Sequence, residues 1–189
     1  MTAGSGSLVV VGVGNVLLRD DGAGVEVVRE IERRAGRGVP GLPVGTALVD
    51  GGTLGLGLLP LVTGARGLVF VDAVDGGREP GAVEVLRGEA VFEAAAGGGP
   101  GGEVAMGRGG LGELLAAARL AGADPAAIVL VGIQPAEIAL GAELTAAIRG
   151  AMPAAIEITL DEIRRMTATP PATRHAPARR RADPAECAA

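Results

Sequence analysis

The sequence predicts an α/β fold: a three-layer sandwich with a mostly parallel twisted sheet, one antiparallel edge strand and helices on both faces. The sequence contains short apolar runs rich in β-branched residues, and each ends at a glycine or an aspartate; Leu8–Val11 is the clearest. A continuous apolar run of this length is typical of a strand buried on both faces. Segments with apolar residues at spacings of three and four lie between these runs and indicate amphipathic helices. Strands that alternate with helices are typical of a parallel sheet covered on both sides.

The first half of the chain supplies three strands and two helices. The run from Leu8 ends at Gly12, and a helix begins at Asp20 and ends at Gly36. The apolar stripe of this helix consists of Val25, Val28, Ile31 and Ala35. The elements predicted next are a strand over Gly45–Val49, a leucine-rich helix over Leu54–Val62 and a strand over Leu68–Val71 that Asp72 closes.

The second half begins with the antiparallel edge strand. Pro80 and Gly81 introduce the alternating segment Ala82–Leu86, which is typical of a strand added at the edge of a sheet. The elements predicted after it are a helix from Leu111 to Gly122, a strand over Ile128–Val131 and two helices over Gly141–Arg149 and Pro153–Arg165.

A length of 189 residues predicts one domain. We assign residues 1–166 to a single α/β domain. Residues 167–189 are rich in Pro, Ala and Arg without periodicity, which predicts a disordered tail. Segment 94–110 is mostly Ala, Gly and Pro and predicts a mobile excursion on the surface.

Composition excludes several classes of function. The formal charge of −5 and the absence of aromatic residues other than Phe70 and Phe92 argue against nucleic-acid binding. All 17 basic residues are arginine, which excludes lysine chemistry such as a Schiff base or a P-loop. The single cysteine, Cys187, excludes an intramolecular disulfide and a cysteine-based zinc site. With no apolar run of about 18 residues and no basic leader, we expect a cytoplasmic protein without a membrane span.

Acidic residues collect where the predicted strands end, which is where open α/β sheets bind ligands. Asp20 and Asp21 follow the first strand, Asp50 the second and Asp72 the third, and the convergence of these acids would raise at least one pKa or require a cation. Singly, each has a structural explanation, such as a helix N-cap or a turn. The same strand ends carry further candidates that share a small or polar side chain: Gly12, Gly14, Asn15, Gly51, Gly52, Thr53 and Gln134.

Two kinds of site fit this pattern. Gly12-Val13-Gly14 matches the start of the dinucleotide-binding motif, but Leu17 stands at the third glycine position, and Asp20 and Asp21 would oppose a pyrophosphate. A divalent metal between Asp21 and Asp72 is the other possibility, with a histidine expected as third ligand. As a further hypothesis, the leucine-rich helix could dock a partner, although a core role is the more usual one.

Four segments taken together resemble the hydrogenase maturation protease family: GVGNVLLRDDGAG, DGGTLGLGLLP, VFVDAVDGGREPGAVEVL and GLGELLAAARLAGADPAAIVLVGIQP. The resemblance runs in order from about Leu8 to Leu160. It implies a single-domain, monomeric or weakly associated endopeptidase. Such an enzyme removes a C-terminal extension from the large-subunit precursor of a nickel-iron hydrogenase after nickel loading, so the nickel is presented by the precursor.

The resemblance also implies roles for particular residues. Asp21 and Asp72 fall at metal-contacting positions, and Asp50 at a catalytic or orienting one. Asn15 and Gln134 match polar positions that support the site. The family's histidine ligand, three residues before the Gly-Leu that opens the helix at Leu111, is replaced by Gly107. Loss of an imidazole ligand should weaken nickel affinity.

Three hypotheses follow from the missing histidine. The protein is a working protease that needs only Asp21 and Asp72 for a precursor-bound nickel, or a divergent member that binds the precursor without cutting it. In the third, the tail folds back and His175 or Cys187 completes the site. Without a Ser-His-Asp set or a reactive cysteine in the body, hydrolysis would be non-covalent, through a metal-polarised carbonyl or a carboxylate acting as acid and base.

Overall fold

A computed structural model describes residues 7–37, 42–95, 105–106, 110–121 and 128–168. This part of the chain contains six strands and five α-helices, with 3-10 turns at Arg19–Gly22 and Gly55–Leu58. The strands are β1 Leu8–Val13, β2 Thr46–Gly52, β3 Gly67–Asp75, β4 Val83–Arg87, β5 Ala105–Met106 and β6 Ile128–Ile133. The helices are α1 Ala23–Gly36, α2 Leu59–Gly64, α3 Glu89–Ala95, α4 Leu111–Leu120 and α5 Ala146–Ala168.

The main sheet has the order β2-β1-β3-β6-β4. Its first four members are parallel, and β4 runs antiparallel to β6 at the edge. In that pair Val83 lies opposite Ile133 and Arg87 opposite Val129, which confirms the predicted antiparallel edge strand. The short β5 pairs antiparallel with the end of β3, where Met106 lies opposite Val74.

Helices cover both faces of this sheet, as predicted. On one face α1 and α5 pack against alternate strand residues such as Val10, Val69 and Val131. On the other face α2, α3 and α4 pack against the residues between them, such as Phe70 and Leu130. Because neighbouring side chains of a strand point to opposite faces, a strand buried on both faces is apolar at nearly every position. No helix in the described part of the chain is long and apolar enough to span a membrane.

The last helix differs from the prediction of two helices over 141–149 and 153–165. Residues Ala146–Ala168 form one helix with Pro153 inside it. Proline removes one backbone hydrogen bond and disfavours a helix interior, which is why the sequence pattern divides there. Ile148 before Pro153 and Ile156 after it are both buried in the same core, so packing on the sheet outweighs the local cost.

Element ends also differ from the prediction. The strand expected to end at Val71 continues to Asp75, because Asp72 and Ala73 pair with β6. Residues Arg19–Gly22 form a 3-10 turn, so α1 begins at Ala23 rather than Asp20. The leucine-rich segment 54–62 divides into a 3-10 turn and α2; its Leu58 and Val62 are buried in the core, and its Leu54 and Leu56 are exposed.

The predicted surface excursion over 94–110 contains regular structure, which the sequence pattern did not predict. Residues 94–95 are the end of α3, which buries Val91 and Ala94, and 105–106 form β5. A seven-residue helix is too short to produce a clear periodic pattern. Gly107 lies outside the described residues, as do residues 169–189 with His175 and Cys187, so the prediction of a disordered tail stays a prediction.

A buried carboxylate, Glu162 of α5, joins the last helix to the edge strand. It accepts hydrogen bonds from Arg87 of β4, at 3.2 and 2.5 Å, and from Arg165 Nε at 3.0 Å. Burial by itself would raise the pKa of Glu162, but the hydrogen bonds from the two arginines outweigh it and hold this pKa below its ordinary value.

We expect the Glu162→Gln variant to lose part of the pH dependence of stability. A folded-state pKa below the unfolded one contributes stability that is complete above about pH 4.3 and is lost as the pH falls through the folded-state pKa. Unfolding free energies from urea titrations between pH 7 and acid should therefore fall less steeply in the variant. The control is Glu157→Gln, also on α5, which removes an exposed ion pair with Arg34 of α1. We expect its slope to change little. Equal slopes in the wild type and Glu162→Gln would contradict the assignment.

Candidate active site at the carboxyl ends of the strands

The loops that follow β1, β2 and β6 are joined to one another at one edge of the sheet. Gly14 N donates to Gly52 O at 3.0 Å, which links the loops after β1 and β2. Arg19 N donates to Gly141 O at 2.8 Å, and Gly141 N donates to Leu17 O at 3.0 Å. These bonds hold the loop after β6 against the loop after β1. The sequence-predicted site therefore lies on a connected set of loops.

Asp21 is buried in the 3-10 turn between β1 and α1, with 1% of its surface exposed. Its Oδ2 accepts a hydrogen bond from Asn15 N at 2.7 Å. Its Oδ1 is enclosed and has no hydrogen-bond partner among the described residues. A buried polar atom without a partner costs free energy, and native proteins keep such atoms mainly where an ion, a water or a function requires them. Asp21 Oδ1 is therefore a candidate ligand atom.

Asn15 and Gly14 form the loop that brings Asp21 into this position. The Asn15 side-chain oxygen accepts from Leu17 N, and its backbone oxygen accepts from Leu18 N, both at 2.9 Å. Gly14 has φ +122°, and a Cβ at this residue would lie 1.8 Å from Asp21 O. Only glycine fits there without moving the turn. Both residues thus shape the backbone around Asp21.

Asp72 is fully buried in β3, and it lies within the strand instead of after it. It shares the sheet face of Phe70 and Val74, the face covered by α2, α3 and α4. The turn Arg19–Gly22 that carries Asp21 contacts β3, the strand that carries Asp72. The two acids therefore belong to elements that meet at this edge of the sheet.

Asp50 has a different environment from Asp21 and Asp72, because it is exposed and pairs with an arginine of α1. Its side chain is 44% exposed, and Oδ2 accepts from Arg29 Nη2 at 2.8 Å and from Arg29 Nε at 3.0 Å. Hydrogen bonds to Glu26 and to Asp50 raise the pKa of Arg29. Asp50 thus points to the face that carries α1, opposite to the face of Asp72. The sequence shows where β2 ends, but it does not show that an arginine 21 residues away pairs with the acid there.

Asp20 is fully buried and accepts four hydrogen bonds from the loop after β6. Its Oδ2 accepts from Ala136 N at 2.9 Å, Glu137 N at 3.0 Å and Thr145 Oγ1 at 2.9 Å, and its Oδ1 accepts from Thr145 N at 2.7 Å. These bonds occupy the carboxylate, so Asp20 is neither an open rim acid nor the N-cap of α1. Asp20 and Asp50 are thus bonded to different segments, which differs from the expected group of four repelling carboxylates.

Gln134 connects the end of β6 to the loop after β3. Its Nε2 donates to Asp75 Oδ1 at 3.0 Å, and its Oε1 accepts from Gly76 N at 2.9 Å and Arg78 N at 3.1 Å. The hydrogen bond from Gln134, followed by the one from Gly77 N, lowers the pKa of Asp75. Gln134 thus fixes the carboxylate of Asp75 at the end of β3 and the backbone of the loop that follows it.

The remaining candidates are glycines and a threonine. A Cβ at Gly12 would lie 2.6 Å from Gly24 O, and one at Gly51 would lie 2.6 Å from a methyl carbon of Val11. Both glycines therefore permit close packing at the strand ends. Gly52 has φ +45°, and Thr53 is exposed beside it.

A known protein family matches most of the chain. Residues 25–162 match the family model described as hydrogenase maturation protease. The chain belongs to the hydrogenase maturation protease family. Members of this family are peptidases, so the chain is a peptidase. The family assignment and the two buried acids in the turn before α1 argue against the nucleotide-binding alternative.

Relatives of this maturation protease span most of its length. The hydrogenase expression/formation protein HupM of Azotobacter chroococcum is 35% identical over 85% of this chain and 73% of its own. HupD of Rhodobacter capsulatus is 37% identical over 83% of this chain and 71% of its own. Among solved structures, the hydrogenase maturating endopeptidase HybD from E. coli is 30% identical with a TM-score of 0.72, covering 85% of this chain and 93% of its own.

The maturation protease has no group of three or more His, Cys, Asp or Glu residues able to hold a metal within the ranges that the structure describes. The position of the missing histidine, Gly107, lies outside those ranges. Asp21 and Asp72 by themselves would supply two carboxylates, which is fewer ligands than a resident transition-metal site has.

Three residues that contribute to the edge were not predicted from the sequence. Thr145 binds Asp20 and precedes α5, and Ile148 N donates to its Oγ1 at 3.5 Å. A threonine directly before an apolar helical pattern is an N-cap signal that could have identified it. Arg29 pairs with Asp50, and Arg19 adopts φ +50° beside Asp21; for these two the sequence holds no comparable signal.

Proposed function

We propose that the protein removes the C-terminal extension from the nickel-loaded large-subunit precursor of a nickel-iron hydrogenase, with the precursor's nickel as the recognition element. The observation that carries this proposal is the buried Asp21 Oδ1, which has no hydrogen-bond partner among the described residues, in a turn that contacts β3, the strand of Asp72. Membership in the maturation protease family supports the reaction class. We further propose that it acts as a cytoplasmic monomer.

Asp21 and Asp72 contact the nickel of the precursor in this proposal. Both acids are buried, and a charge attracts a cation more strongly where the surroundings exclude water. The precursor's cysteines supply the softer ligands that nickel also accepts, so two oxygen ligands from the protease suffice. A precursor without nickel leaves the buried Asp21 oxygen unpaired, which disfavours its binding. Recognition therefore depends on the loaded metal.

We assign the acid–base role to Asp50, whose exposed carboxylate is open to a bound peptide. A water oxygen adds to the carbonyl carbon of the scissile bond while its proton passes to a carboxylate. The C–N bond breaks once the leaving nitrogen has taken a proton. Arg29 fixes the direction of Asp50 through two hydrogen bonds to Oδ2. A non-covalent route is favoured because the sequence holds one histidine and one cysteine, His175 and Cys187, and both stand in the Pro-, Ala- and Arg-rich segment 167–189.

The proposal predicts that purified protein shortens the nickel-loaded precursor and leaves the nickel-free precursor intact. Mass spectrometry of the large subunit after incubation measures the loss of the extension. Cleavage of both forms would contradict nickel recognition. Tight binding of the loaded form without cleavage would favour the second candidate function, a non-catalytic binding protein, for which the replacement of the family histidine by Gly107 is the motivating observation.

A further inference from the structure

The Asp20 carboxylate joins two segments that are far apart in the sequence. Asp20 belongs to the turn Arg19–Gly22, and all four of its side-chain hydrogen bonds come from residues 136–145. The two segments are also joined through their backbones, by Asp20 N to Glu137 O at 3.4 Å and by the bridge between Leu18 and Gly141. A fully buried carboxylate with four short donors holds its partners firmly, since each bond to a charged group is stronger than a neutral one.

The turn that Asp20 holds contains two energetically unfavourable features. Arg19 has φ +50°, a conformation that residues other than glycine rarely adopt. Asp21 keeps a buried oxygen without a hydrogen-bond partner among the described residues. Such features persist only where interactions with the surrounding structure stabilise the turn by more than these features destabilise it. Asp20, which accepts the four hydrogen bonds, stands between Arg19 and Asp21 in the sequence.

We propose that Asp20 is a positioning residue, whose carboxylate clamps the turn Arg19–Gly22 to the loop 136–145 and thereby holds Asp21 with its free oxygen turned toward the substrate metal. This inference rests on the proposed function. Without the clamp the turn relaxes, Asp21 turns toward water, and the protein no longer distinguishes the nickel-loaded precursor from the nickel-free one. Asp20 itself does not contact the substrate.

The test uses the Asp20→Asn variant of the full chain, which keeps the size of the side chain but replaces one acceptor oxygen with an NH₂ donor. Glu162→Gln is the matched control, because it changes a different buried carboxylate, which lies on α5 and accepts its hydrogen bonds from Arg87 and Arg165. Thr145→Val is a second variant, which removes one of the four hydrogen bonds to Asp20. It allows the test to be made on a folded protein if Asp20→Asn does not fold.

Amide hydrogen exchange without substrate is the first readout. We expect exchange of residues 15–22 and 136–145 to become at least about tenfold faster in Asp20→Asn, less so in Thr145→Val, and not in Glu162→Gln. The second readout is the ratio of the dissociation constants of the nickel-free and the nickel-loaded precursor, measured by binding because the nickel-free precursor is not cleaved. We expect it to approach one in Asp20→Asn and to stay at the wild-type value in Glu162→Gln, which a merely structural role would not produce.

Unchanged exchange in both segments, or an unchanged nickel ratio in a folded Asp20 or Thr145 variant, would overturn the inference. A wild-type protein that binds and cleaves neither precursor would instead overturn the proposed function, and the exchange experiment would still decide whether Asp20 clamps the turn. The two failures are therefore distinguishable.

Discussion

Replacing Asp21 with asparagine is expected to lower the rate of processing of the nickel-loaded precursor by roughly 100-fold or more. Changes to residues that only support a metal ligand commonly cost about 10–100-fold, and Asp21 is proposed to touch the metal itself. Asparagine keeps the size of the side chain but removes the negative charge. The hydrogen bond from Asn15 N can still be accepted by the amide oxygen, so the loop should keep its shape.

The initial rate at saturating and limiting precursor measures this effect. Glu143→Gln is the control, since it removes an exposed acid from the loop before α5 and should process the precursor at the wild-type rate. Full processing by Asp21→Asn, with its fold intact by circular dichroism, would show that Asp21 is not a metal contact.

Replacing Gly24 with alanine is expected to destabilise the fold by about 3 kcal/mol or more. A Cβ at Gly24 would lie 2.1 Å from Val71 O and 2.7 Å from Val13 O. Both atoms belong to the backbone of central strands, so neither can move as a flexible side chain would. Overpacking of a core commonly costs about 1–3 kcal/mol, and a backbone clash at this distance lies at the upper end or beyond. The start of α1 must then shift, and the turn that carries Asp21 shifts with it.

Urea unfolding measures this difference. Gly36→Ala at the end of the same helix is the matched control, because nothing lies within 4 Å of the added methyl group. Alanine is the better helix former by about 0.5–1 kcal/mol, so this control should be neutral or slightly stabilising. A wild-type midpoint in Gly24→Ala would show that β1, β3 and α1 do not pack as closely as described.

The sequence was informative where a local pattern decides the structure. The apolar runs placed the parallel strands, and alternation placed the antiparallel edge strand that β4 forms. It was uninformative where distant packing decides: Pro153 divides the helical pattern of α5, yet Ile148 and Ile156 bury on one sheet face and keep the helix whole. The short helix α3 was missed because seven residues carry too little periodicity.

At the site, the sequence by itself determined which acids stand at the strand ends and to which family the pattern of glycines and acids belongs. The tertiary structure decided what each acid does. Asp20 and Asp21 are neighbours in the chain, but Asp20 accepts four hydrogen bonds from residues 136–145, whereas one buried oxygen of Asp21 has no partner in the part of the chain that the structure describes. Asp50 pairs with Arg29 of α1. The physical reason is that a carboxylate's chemistry is set by the donors and charges around it, and these come from segments that only folding brings together.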